Sequence, residues 1–158
     1  LGYFRFEFFG QSLSTLIEDR KNIRTAEQSI KEAESMLQGI NRLDELTTVL
    51  KKAAEGMQFH EAIISFYEED GKLGSRSNNE ESSIGEKVSW KDPNFSGYYS
   101  RKNEFVAEFP ISGRKYSYGK ILYRFIDNRD KLEVNEEVLL ERIHDGLSVF
   151  AAKVRKQS

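Results

Sequence analysis

The sequence predicts an α+β fold: a central antiparallel sheet flanked by N- and C-terminal helices, with a long N-terminal helix. Three observations carry this expectation. Apolar residues recur at helical spacing near both ends of the chain, over residues 13–40 and 134–154. Between them the period drops to two, where Phe105, Ala107, Phe109 and Ile111 are answered by Gly119, Ile121, Tyr123 and Phe125. The 158 residues are 38% hydrophobic and 32% charged, enough for one core, a wetted surface and a helix to spare.

The chain opens on Leu1 rather than Met, so we expect a piece of a longer protein. Residues 1–10 mix Tyr3, Phe4, Phe6, Phe8 and Phe9 with Arg5 and Glu7. That segment is too short to span a bilayer and lacks the layout of a secretory signal. Aromatic rings beside charges suit a membrane–water interface, and equally an aromatic plug packed on the domain or on a partner chain.

A long helical pattern follows. Phe9, Leu16, Ile23, Ile30 and Leu37 fall at every seventh position, and Ala26, Ala33 and Ile40 complete a seam at alternating three- and four-residue steps. Glu27, Gln28, Lys31, Glu32 and Glu34 lie between them, so the apolar stripe is narrow and suits one partner helix. We read it as a coiled-coil-like dimerisation helix about 40 Å long. The alternative is packing of the stripe against the last helix of the same chain. On the first reading, residues 1–40 form a juxtamembrane-like segment and dimerisation helix, and residues 41–158 form the domain proper.

After the break at Gly39, Asn41 or Asp44 can cap a second helix with Leu43, Leu46, Val49, Leu50, Ala53, Ala54 and Met57 on its core face. Gly56 is expected to end it. Residues 60–67 read as a strand and Asp70-Gly71 as a hairpin turn. Residues 72–84 read as a polar loop holding at most a weak strand, and residues 85–90 as a short strand. Asp92-Pro93 begins a turn closed by Gly97. The alternating hairpin turns at Ser112-Gly113-Arg114-Lys115. The last helix opens near Asn135, with Glu136 and Glu137 at the positive end of its dipole and Val134 spaced to staple onto Leu139. Its seam runs through Leu140, Ile143, Leu147, Phe150, Ala151 and Val154. The expected homodimer interface is therefore Leu16, Ile23, Ala26, Ile30, Ala33, Leu37 and Ile40 with Ile143, Leu147, Phe150 and Val154.

Residues 41–156 resemble a GAF domain, a small sensing and dimerising module. The resemblance rests on Leu43-Asp44-Glu45-Leu46, on Ala62-Ile63-Ile64-Ser65-Phe66-Tyr67 with Asp70-Gly71, and on Val106-Ala107-Glu108-Phe109-Pro110-Ile111 answered by Gly119-Lys120-Ile121-Leu122-Tyr123. At the tail, Asn128-Arg129, Leu132 and Glu136-Glu137 are similar to the turn, apolar anchor and acidic helix start that precede the family's last helix. The likeness implies a fold more than a ligand. The bilin attachment and methionine-sulfoxide reduction known in the family need cysteine, and the chain has none. The turn-rich residues 73–103 imply a reduced pocket, leaving a small-molecule ligand as an alternative. A shorter resemblance, of the aromatic opening followed by Leu16-Ile17-Glu18-Asp19-Arg20-Lys21-Asn22-Ile23-Arg24, is to the cytoplasmic extension after the last membrane helix of some bacterial polyprenyl-phosphate sugar-1-phosphate transferases, which are membrane glycosyltransferases. It implies a regulatory domain on the cytoplasmic side, tethered to a membrane-embedded catalytic region that precedes it.

Residue inventory argues against chemistry in this chain itself. Without cysteine, disulfides, thiolate metal sites and cysteine nucleophiles are excluded. His60 and His144 are the two histidines, one at a strand start and one on the last helix, so a histidine-based metal cluster is not expected. The glycines at 113 and 119 do not have phosphate-loop spacing, and no Gly-x-Ser-x-Gly elbow occurs. We expect no catalytic residue, metal or cofactor. Net charge is -2, giving no global pull on nucleic acid. Locally, Arg101, Lys102, Arg114, Lys115, Lys120 and Arg124 are interleaved with Tyr116, Tyr118 and Tyr123, which keeps a nucleic-acid-binding hairpin as an alternative although none is expected to bind.

Overall fold

The computed structural model describes residues 13–69, 72–74, 84–94, 104–113, 116–126 and 131–157, with side chains described within 24–155. The aromatic opening, Asn128, Arg129 and the side chains of Leu16 and Ile23 lie outside these residues. The fold is α+β, three helices packed with an antiparallel sheet.

The elements are α1 (Leu13–Gly39), a single 3-10 turn (Leu43–Glu45), α2 (Leu46–Met57), β1 (Glu61–Glu69), β2 (Lys72–Leu73), β3 (Ile84–Lys91), β4 (Glu104–Ser112), β5 (Ser117–Ile126) and α3 (Val134–Gln157). β1 lies between β5 on one side and β3 on the other, and β4 continues the sheet beyond β5. The far end of β1 pairs with the short β2, with Glu69 opposite Lys72, and the turn expected at Asp70-Gly71 lies outside the described residues.

Strand alternation sorts the sheet into two faces. Ala62 and Ile64 of β1 sit opposite Tyr123 and Ile121 of β5, which sit opposite Ala107 and Phe109 of β4. On the other edge Ala62 and Ile64 meet Trp90 and Val88 of β3. This face joins the helices in one core. The reverse face carries Glu61, Ile63 and Ser65 opposite Arg124, Leu122 and Lys120. Gly119 lets β5 approach β1 at the end of that ladder, because a Cβ there would strike the Ser65 carbonyl oxygen and come within 3.0 Å of Phe66 Cα.

α2 buries Leu46, Val49, Leu50, Ala53, Ala54 and Met57, the helical repeat expected of it. Its end differs from the expectation. The left-handed residue is Gln58, at φ 63, whose N–H donates to Ala54 O at 2.9 Å. Gly56 instead lies inside the last turn, where α1 crosses so closely that a Cβ would strike Ser29 Cβ and sit 2.8 Å from Ala26 Cα. Ser29 Oγ accepts from Gly56 N–H at 3.1 Å and donates to the Lys52 carbonyl, fastening the crossing.

The start of α3 is also built differently. Glu136 Oε1 accepts from Glu133 N–H at 3.0 Å, the backward half of a capping box. Val134 is 74% exposed, so the apolar anchor at this end is Leu132, buried at 8%, rather than a Val134–Leu139 staple. β3 is longer than expected, because its pairing with β1 extends from Glu61↔Lys91 to Tyr67↔Ile84.

The apolar stripe of α1 is covered inside the chain. Ile30 and Ala33 are fully buried, Leu37 is 5% exposed, and Ala26 and Ile40 are buried as well. Ile143, Leu147 and Phe150 are buried on α3, and Val154 is half-buried against the same core. Two ion pairs follow the packing: Glu34 to Arg142 of α3 at 2.6 Å and Glu32 to Lys52 of α2 at 3.3 Å. The described part of the expected interface is therefore filled by α1, α2 and α3 of one chain, the intramolecular alternative. A seven-residue stripe states that a helix needs a helical neighbour, and loop length allowed α2 and α3 to supply it. A boundary at residue 40 divides elements that share one core.

Candidate functional site

Among the described residues, chemistry-bearing side chains gather in three places. The first is inside the core, where the tail helix meets the sheet. Tyr123 Oη and His144 Nε2 are 2.8 Å apart, and the Phe109 ring lies 4.8 Å from the imidazole. Tyr123 is 1% and His144 7% exposed. Burial pushes the histidine down to about 4 and raises the tyrosine hydroxyl well above its usual range. The ring is thus neutral at pH 7, and the pair is a sealed polar link between β5 and α3 rather than an acid–base couple open to substrate.

The second place is on the reverse face of the sheet. Arg124 reaches Glu61 on β1 at 2.8 Å and Glu104 on β4 at 2.9 Å, clamping three adjacent strands. Hydrogen bonding to Glu104 raises the guanidinium further. His60 Nε2 lies 3.9 Å from Glu104, and the imidazole is lowered mainly by burial, against the opposing pull of Glu104 and Glu61. The backbone locks this corner as well, because His60 N–H donates to Arg124 O at 2.9 Å and Asp92 N–H to His60 O at 2.8 Å. Both histidines are packing residues, since His60, like His144, is 7% exposed.

The third is an open cleft of about 560 Å³ between α2 and the ends of β3 and β5. Phe59, Trp90 and Ile126 give its apolar side, and Lys51, Glu55, Gln58, Asp92 and Asn94 its polar side. Phe59 is the pivot: its ring meets Trp90 at 6.0 Å, Tyr123 at 5.0 Å and Phe125 at 6.2 Å. Asp92 is partly committed, because Oδ1 accepts from Asn94 N–H at 2.9 Å. Nothing in the sequence signals this cleft, since its lining is drawn from α2, β3, β5 and two connections far apart in the chain.

Of the basic hairpin, Arg124 is held by Glu61 and Glu104, and Lys120 lies 3.9 Å from Glu108. Arg101, Lys102, Arg114 and Lys115 lie outside the described residues. Of the tail series, Leu132 is a core anchor, Glu136 a helix cap and Glu137 exposed. Among the described residues no three acidic or histidine side chains cluster as a metal site, and no helix is long and apolar enough to cross a membrane.

No protein-family profile matches the chain, and no curated protein is significantly similar to it.

Proposed function

We propose that this chain is a non-catalytic, GAF-like regulatory module in which α1 acts as a lever on the sheet. The observation that carries the reading is the fusion of α1 into the common core: Ile30 and Ala33 are fully buried in the cluster that also holds Ile121 and Tyr123. A tilt or shift of α1 must repack that cluster, because close-packed interiors respond by switching arrangement rather than by stretching. The two histidines are meanwhile engaged in packing, Glu136 in capping, and Glu61 and Glu104 in clamping strands. The GAF-like assignment draws on the residue series quoted above together with an antiparallel sheet that has the first and last helices packed in one core with it. The parent as a membrane glycosyltransferase, with this module on the cytoplasmic side, rests on the aromatic opening and residues 16–24.

Native-state hydrogen exchange tests the lever. Amides of α1 over residues 26–40 and of β5 over residues 119–125 are expected to open in one cooperative unit, with a common free energy. Opening of α1 at a clearly lower free energy, with β5 unaffected, would refute it.

A second reading, small-molecule sensing, is favoured by the cleft beside Trp90. The chain has one tryptophan, so a ligand entering that cleft would shift the sole indole emission. A metabolite panel that leaves the emission unchanged while stabilising the fold would direct attention to another site.

A further inference from the structure

We propose that Tyr3-Phe4-Arg5-Phe6 of this chain seats in the cleft beside Trp90, so that the aromatic opening covers the domain it precedes. This goes beyond the lever reading. It also gives the cleft an occupant from the chain itself, which a small molecule would have to displace.

The cleft suits aromatic rings. Phe59 lies deep in it at 2% exposure, Trp90 is half-buried 6.0 Å away, and Ile126 is 37% exposed at the end of β5. Covering such a wall with further apolar surface is favourable, and Tyr3, Phe4 and Phe6 bring large rings to it. Charge agrees with the match. Glu55 and Asp92 on the polar side outnumber Lys51, and His60 adds no charge at pH 7 because burial lowers it. Arg5 is the one basic side chain within residues 1–12, and Glu7 follows it to meet Lys51.

Chain length decides which residues can arrive. α1 and α2 run antiparallel, because Glu32 pairs with Lys52 while Ala26 and Ser29 lie against Gly56. Followed back from Ala26, α1 passes the end of α2 at Gln58, and the cleft lies at that same end. Arg24 and Glu55 line one surface hollow, and Glu55 also lines the cleft, so the two hollows adjoin. From Arg24 to Leu13 the helix carries the chain about 16 Å outward. Residues 1–12 lie outside the described residues, and their extended length sets their reach. Measured back from Leu13, Phe8 can return about 17 Å, Phe6 about 23 Å and Phe4 about 30 Å. Phe8 is therefore spent on the run back along α1, whereas Phe6 and Phe4 have length left to cross the end of α2 to Trp90.

Trp90 is the single tryptophan, so its emission and its quenching by acrylamide in the full chain read the cleft directly. Phe4→Ser/Phe6→Ser is expected to shift the emission to longer wavelength and raise the quenching constant about twofold, with an unchanged far-UV circular dichroism spectrum. Phe8→Ser is expected to match the wild type. Arg5→Glu is expected to behave as the double variant and Arg5→Lys as the wild type, since the contact with Glu55 and Asp92 needs a cation. Wild-type shielding should hold from about 100 µM down to about 1 µM, because a tethered segment keeps its effective concentration on dilution. An unchanged quenching constant in Phe4→Ser/Phe6→Ser would overturn the docking. Equal exposure of Trp90 by Phe8→Ser would overturn the seating by reach, and loss of shielding on dilution would overturn the intramolecular contact in favour of a second copy. No ligand enters these measurements, so a failure of small-molecule sensing is distinguishable from a failure of this inference.

Discussion

Acidification should weaken this protein through His144 in a way that one substitution can isolate. In the folded chain the imidazole is buried against Tyr123 and Phe109 and its proton affinity falls from 6.5 to about 4. An unfolded chain takes up that proton near pH 6.5, while the folded one refuses it until about pH 4. Stability from this residue is therefore complete above pH 6.5, declines as pH falls toward 4, and is flat below that. The full displacement is worth about 3 kcal/mol, of which about 2 kcal/mol is lost between pH 7 and pH 4.5. Urea unfolding at those two pH values, for the wild type and for His144→Gln, gives the comparison. The variant should begin less stable at pH 7 but lose about 2 kcal/mol less on acidification, because glutamine has no proton to gain. His60 is lowered in the same direction and is present in both proteins, so its contribution cancels. Equal acid sensitivity in the two proteins would show that His144 is hydrated or rearranges at little cost, and would refute the sealed-pair reasoning.

Tyr123→Phe should cost about 1–3 kcal/mol at pH 7, since it leaves His144 Nε2 buried without its partner; a urea midpoint unchanged within error would remove the pair's structural role. Gly56→Ala should destabilise by about 1–2 kcal/mol, the clash with Ser29 and Ala26 outweighing the roughly 1 kcal/mol gain in helix propensity, and a stabilised variant would mean that α1 and α2 are further apart. Ile30→Glu should unfold the chain rather than dissociate it, because a carboxylate would enter a fully buried site; a well-folded far-UV spectrum with an unchanged melting temperature would restore the intermolecular seam. Ser29→Ala should cost about 1 kcal/mol by removing the hydroxyl that bridges Gly56 N–H and the Lys52 carbonyl at the helix crossing, read in the same unfolding assay.

The β4–β5 hairpin was legible because one of its faces is core and the other is wet, so alternation from Phe105 to Ile111 and from Gly119 to Phe125 maps directly onto paired registers. β3 was only half visible, because Val88 is its single fully covered side chain and an edge strand so lightly buried leaves a faint period. The cleft and the Tyr123–His144 link were invisible, since both join residues far apart in the chain whose types are individually unremarked. Gly56 was visible as a glycine but not as a crossing point: a helix end and a close helix contact both select the smallest residue.

What the sequence determined by itself was local and periodic: where the backbone turns helical, where it extends, and which face of each element avoids water. Those follow from side-chain spacing along one chain and need no knowledge of neighbours. Which partner each face obtains was set by the packing of the whole chain. The stripe through Ile30 and Leu37 demanded a helix, and α2 and α3 answered it within the same chain, leaving Val138 and Val149 on the outside. Hydrophobic burial is non-directional, so it fixes how much surface must be covered but not by what; chain connectivity and close packing make that choice.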